Sequence, residues 1–200
     1  MKRILVTIFL ATTTAALGAI AISQAASTPL RSSMPVRSTK RSLDGRFSIL
    51  RSAKLAASSS ETALPALTDK RLTEPETLVS ELELEPAHAS YIEINATTHG
   101  WVIPGRSGMC LAVSMSVSIV RDCGPLASAD AGGLVMVRRS SSGPIIYGLV
   151  PDGASVTVTN GDGSSSSVPV TSNVFMYADP TAQSVSVQAV GGSVKTTAVN

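Results

Sequence analysis

Few residues of this chain are placed to do chemistry. Its two cysteines are Cys110 and Cys123, and its two histidines are His88 and His99. In an exported chain an even cysteine count reads as a bridge. Closing a loop of about fourteen residues would stabilise the fold by roughly 3 kcal/mol. The rival is a reactive Cys110 thiol, which needs a neighbouring base and a reducing compartment. Ser107 stands in Gly105-Arg-Ser-Gly108. A hydrolytic triad would combine it with His99 and either Asp122 or Asp130, with the Gly108 amide in an oxyanion hole. Met109 occupies the place of the last glycine in a nucleophile elbow, so the sequence lacks that strained strand-to-helix turn. A hairpin or loop leading into the cysteine pair fits these glycines better.

Metal chemistry has less support. Two histidines without free thiols nearby make no zinc signature, and no EF-hand spacing occurs. Asp152, Asp162 and Asp179 fall in turn sequences, where carboxylates bond to the backbone two residues on. No metal and no cofactor is expected. Asn95-Ala-Thr97 spells a glycosylation acceptor. Trp101 and Tyr147 are candidates for a binding patch, but an aromatic within a strand belongs first to a core.

What positions these residues begins with the address. Lys2 and Arg3 precede an apolar run from Ile4 to Ile22, followed by Ser23-Gln-Ala-Ala26. That order is a secretory signal peptide cleaved near Ala25. Uncleaved, the run would anchor an extracytoplasmic domain, because the two basic residues would stay inside. The formal net charge of +2 includes those two residues, so the exported chain is near neutral and no nucleic-acid partner is expected.

Four segments follow from composition: residues 1–25 as signal peptide, 26–72 as a disordered basic linker, 73–90 as a helical segment and 91–200 as a β-rich domain. The linker's first part, residues 27–60, carries Arg31, Arg37, Lys40, Arg41, Arg46, Arg51 and Lys54 against Asp44. It has too little apolar surface to offset its ordering entropy. Its charge suits an anionic envelope polymer, although such a run is more often a solvated linker. Leu43, Phe47 and Leu50 recur at helical spacing, giving a short helix that either docks on the main domain or forms transiently in a tail. Farther on, Thr73-Glu-Pro-Glu76 has capping-box spacing, Leu78, Val79 and Leu82 make a stripe, and Pro86 ends the run. A helix over Glu74–Leu84 follows.

From Ser90 onward short β-branched runs alternate with Gly, Pro, Asn, Asp and Ser clusters. The predicted strands are Ser90–Asn95, Gly100–Ile103, Cys110–Val113, Val117–Val120, Leu134–Arg138, Ile145–Val150, Ser155–Thr159, Ser166–Val170, Val174–Tyr177, Ser184–Val190 and Ser193–Val199. The class is mainly β: a small antiparallel sandwich or barrel, preceded by one or two short helices and a disordered N-terminal arm. Val150-Pro-Asp-Gly153 predicts a type I turn with a G1 bulge that returns Ile145–Val150 directly as Ser155–Thr159. For the next hairpin, period-two alternation places Val156 opposite Val170 and Val158 opposite Val168, with a loop at Gly161–Ser165 rather than a tight Asn160-Gly161 turn. Gly191-Gly192 predicts a C-terminal hairpin, added at a sheet edge.

The spaced elements Gly100-Trp101-Val-Ile-Pro104-Gly105-Arg-Ser-Gly108-Met-Cys110, Cys123, Gly132-Gly133, Tyr147-Gly-Leu-Val-Pro-Asp-Gly153 and Val168-Pro-Val170 with Asn173-Val174-Phe175, and Arg46-Phe-Ser-Ile-Leu-Arg51 upstream, resemble a group of secreted actinobacterial proteins without an assigned activity. The resemblance implies compartment and architecture and brings no catalytic residues. The expectation is a secreted, non-catalytic β-rich domain that binds or supports structure at the cell envelope, with an envelope polymer or protein as its partner. The alternatives are a serine hydrolase using Ser107 and His99, and a membrane-anchored domain if the leader is retained.

Overall fold

The computed structural model describes residues 43, 45–51, 75–115, 118–192 and 194–199. The expected signal peptide, most of the basic linker and the capping residue Thr73 lie outside them. A strap at 43–51 ends in a 3₁₀ turn, Ser48–Arg51. Helix α1 (Pro75–Glu81) and a second 3₁₀ turn (Pro86–His88) follow. Then come β1 (Ser90–Asn95), β2 (Thr98–Pro104), β3 (Gly108–Met115), β4 (Ser118–Pro125), helix α2 (Leu126–Gly132), β5 (Leu134–Ser140) and β6 (Gly143–Leu149). The chain finishes with β7 (Ser155–Asn160), β8 (Ser165–Val168), β9 (Val174–Ala178), β10 (Ala182–Gln188) and β11 (Val194–Ala198). Among the described residues no helix is long and apolar enough to cross a membrane.

The strands form three antiparallel sheets, ordered β1-β2-β3-β4, β5-β6-β9 and β11-β10-β7-β8. Side-chain alternation layers them. Leu134, Met136, Tyr147, Leu149 and Val174 of the three-stranded sheet pack with Ile92, Val102, Met109, Leu111 and Val113 of the first sheet. Their sequence neighbours Val135, Val137, Ile146, Phe175 and Tyr177 point the other way, onto Val156, Val158, Val168, Val185 and Val187. The three-stranded sheet is therefore the middle layer, buried on both faces. The far face of the first sheet carries Trp101, Ile103, Cys110 and Ala112, covered by Val79, Leu82, Leu84 and Ala89. The expected sandwich holds, with one sheet more than two layers require.

Every predicted strand overlaps an observed one, and the C-terminal hairpin pairs Gln188 with Val194 through Ser184 with Ala198 at the edge of its sheet. Other expectations need correction. Helix α1 stops at Glu81, before the expected Leu84, because Glu83 adopts a left-handed backbone (φ 49°) and the Leu84 amide reaches back to the Val79 carbonyl. That pattern is a Schellman-type stop. In the strap, Ile49 is buried and Leu50 only partly so, since the turn is 3₁₀ and not α-helical. Helix α2 is unanticipated.

The Val150–Gly153 turn does not make a hairpin. Both edges of β6 are taken, by β5 and β9, so the chain leaves for another sheet and β7 pairs with β10 and β8. The turn itself falls one residue later: the Ala154 amide donates to the Pro151 carbonyl, with Gly153 left-handed at φ 75°. In the β7–β8 hairpin Val156 faces Val168 and Val158 faces Ser166, a slip of two residues from the expected pairing. An even slip keeps the valines on the core face. Pro169 accounts for it, because a residue without an amide hydrogen ends the ladder at Val168. The loop is the longer kind, closed by the Asn160 amide on the Ser164 carbonyl and the Gly163 amide on the Asn160 carbonyl.

Candidate functional site

The cysteines are brought together. Cys110 and Cys123 face each other across β3 and β4 and form a disulfide, with Cα atoms 4.1 Å apart. The bridge belongs to the core cluster beneath α1. Such bonds persist in oxidising compartments.

The hydrolase candidates are dispersed. Ser107 lies in the β2–β3 loop, where its amide and that of Arg106 donate to the Leu82 and Glu83 carbonyls at the end of α1. Its hydroxyl donates to Glu83 Oε2 at 3.3 Å. His99 sits at the opposite end of β2, packed against Tyr91 (5.7 Å between ring centres) and edge-on to Trp101 (5.3 Å). The run of strand between His99 and Pro104 spans about 17 Å. His88 Nδ1 lies 2.7 Å from Glu85 Oε2, and Arg106 Nε approaches the same carboxylate at 3.7 Å. Burial pushes the Asp122 carboxyl up, against the opposing pull of the Val135 backbone and Lys195. Asp130 pairs with Arg46 at 3.4 Å. These residues thus occupy separate environments.

Among the described residues no group of His, Cys, Asp and Glu is placed to hold a metal ion. The turn carboxylates act as their spacing predicts. Asp162 Oδ1 accepts from the Ser164 amide at 2.9 Å. Asp179 Oδ1 accepts from the Thr181 amide at 2.7 Å. Asn95 Oδ1 likewise accepts from the Thr97 amide at 3.0 Å. Trp101 and Tyr147 are core residues, 4% and 2% exposed.

Asp152 has a larger part. With Asn173 it fastens the strap to the body. The Asn173 Oδ1 atom accepts from the Ser48 hydroxyl (3.0 Å) and the Ile49 amide (2.9 Å). Its Nδ2 donates to the Val150 carbonyl (3.0 Å) and to Asp152 Oδ1 (2.8 Å). Asp152 also accepts from the Ser48 amide and meets Arg51 at 3.2 Å. Burial works against the charge on Asp152. The bonds from Ser48 and Asn173, with Arg51 alongside, outweigh it and hold the carboxyl below its ordinary range. Ser172 and Asn173 both take positive φ (48° and 67°) inside a two-residue turn closed by paired bonds between Thr171 and Val174. That is type I′ geometry, where Asn is favoured. The Ser172-Asn173 pair was the available signal for the turn. Nothing local marked Asn173 as an anchor for residues more than a hundred positions upstream.

The strap completes a concavity of about 470 Å³ between β1 and β9. Tyr91, Ile92, Glu93 and Ile94 form one wall and Val174, Phe175 and Met176 the other, with Ile49 between them. Sequence reading missed it because it is made by two strands far apart in the chain. Compared with protein-family models, curated proteins and solved structures, the chain matches none.

Proposed function

We propose that the chain is an exported, non-catalytic domain that binds a partner at the cell envelope. The observation that carries the binding half is the β1–β9 concavity, whose lining is mostly apolar. The compartment is supported by the Cys110–Cys123 bridge and by the leader-like order of residues 1–26. The resemblance to secreted actinobacterial proteins agrees with both and supplies no reaction. Against hydrolysis stands the engagement of Ser107 with Glu83 and of His99 with its aromatic neighbours.

The experiment is fractionation of producing cells, followed by sedimentation of the purified oxidised domain with washed envelope fragments. Recovery outside the cytosol and sedimentation with the fragments are expected. A cytosolic chain, or a domain that stays entirely in the supernatant, contradicts the proposal.

A further inference from the structure

Two pairs of sheet edges meet between the first and middle layers, and they are finished differently. On one side β4 packs directly along β5. On the other side β1 pairs only with β2, while β9 pairs with β6 and, at Val174, bonds through both its amide and its carbonyl to Thr171; the concavity lies between the two strands. Its walls use consecutive residues, Tyr91–Ile94 and Val174–Met176. Consecutive side chains of a strand point to opposite faces. A wall made of consecutive residues is therefore a strand's edge and not its face. The β1 edge presents a row of backbone donors and acceptors outside its own sheet, whereas the β9 edge is closed at Val174 by Thr171.

The geometry points to an extended peptide segment of a partner protein as the occupant, added as a strand to the β1 edge with β9 as the facing wall. The inference rests on the binding role proposed above and names its ligand class. An acyl chain would cover the edge amides and carbonyls without bonding them, at a cost of several kcal/mol for each group left unpaired. A peptide satisfies them. Sugars and bases favour an open aromatic platform, but the Tyr91 ring is engaged by His99 and by Trp101, 6.1 Å away. Ile92, Ile94 and Val174, which share the core between the first and middle layers, favour apolar side chains at alternate peptide positions. Glu93 is the only charged residue among the lining groups and favours a Lys or Arg between them. The slot is preformed. Asn95 Nδ2 donates to Met176 Sδ at 3.6 Å beside it, and the Asn173 bond to the Ile49 amide fixes its third side. Such preorganisation lowers the entropy cost of binding.

The test uses the oxidised, leader-free protein and a labelled probe, acetyl-Lys-Val-Thr-Val-Lys-Val-amide, with an analogue N-methylated at alternate residues. Amide hydrogen exchange should slow at residues 91–94 on adding the probe, and the β11 edge should not respond. N-methylation should weaken binding roughly tenfold or more, as expected for losing one or two net hydrogen bonds. Glu93→Lys should weaken it similarly, and a probe with Glu in place of Lys should recover it. Equal affinity for the methylated analogue, protection confined to β11, or no binding at millimolar probe would overturn the proposal. So would displacement of the probe by monomeric dodecyl detergent. Protection already complete in the free protein would also overturn it, since the slot would then be filled by this chain or a second copy. Failure of the probe while envelope sedimentation persists would remove the slot alone and leave the binding role standing.

Discussion

In β10 valines alternate with Ser and Gln, whereas β3 runs Met109, Cys110, Leu111, Ala112, Val113 without a polar break. Both strands lie inside four-stranded antiparallel sheets. The first sheet is covered on both faces, by the middle layer and by the α1 segment. The C-terminal sheet packs through Val156, Val158, Val185 and Val187 and turns Thr157, Thr159, Ser184 and Ser186 away from that core. Alternation thus reports how many faces a sheet buries. The middle layer repeats the lesson: Ile145-Ile-Tyr-Gly-Leu-Val150 and Val174-Phe-Met-Tyr177 are continuous runs, as a strand buried on both sides demands.

The contrast predicts where the fold is sensitive. Replacing both Cys110 and Cys123 with Ala should cost about 3 kcal/mol in urea unfolding, the largest single loss. A loss below about 1 kcal/mol would mean the first sheet is no better braced than the C-terminal one. Gly148→Ala should cost roughly 2–3 kcal/mol by overpacking. An added Cβ would fall 2.1 Å from the Phe175 ring, and that ring is 2% exposed and has nowhere to move. Asn173→Ala should cost about 2 kcal/mol through unsatisfied buried partners, and should expose Phe47 and Ile49 to faster amide exchange. A neutral result would detach the strap from the account of the middle layer.

Two carboxylates sharpen the comparison through pH. Asp152, at the strap, holds its proton more weakly in the folded protein than in the unfolded chain. Its contribution is present above a carboxylate pKa of about 3.9 and is lost as pH falls through the lower folded value. Asp122, in the first sheet, is shifted upward. It opposes folding when ionised, and that penalty is relieved as pH falls. Thermal melts across the acid range should therefore show Asp152→Asn flattening the acid loss and Asp122→Asn gaining stability only near neutrality. The smallest effect belongs to the C-terminal sheet's exposed face: Ser186→Ala should change stability by no more than about 0.5 kcal/mol.

Much of the fold was legible in the residues. Strand positions, the glycine-marked hairpin ends and the cysteine pair all rest on local chemistry. The layer order was not, since alternation says how many faces are buried and not what buries them. The β7–β8 register failed by two residues because the valines fix only parity, and the missing amide of Pro169 decided the rest. The Asn173 anchor and the β1–β9 slot were invisible for the same reason. Each joins segments whose partners are set by topology.

The central claim is that this body folds outside the cytosol around a closed bridge. Intact mass of the native protein after alkylation without reductant tests it directly. The account predicts a chain that begins near Ala26 and carries no alkyl group on Cys110 or Cys123. A full-length chain from the cytosol with both thiols alkylated would contradict it.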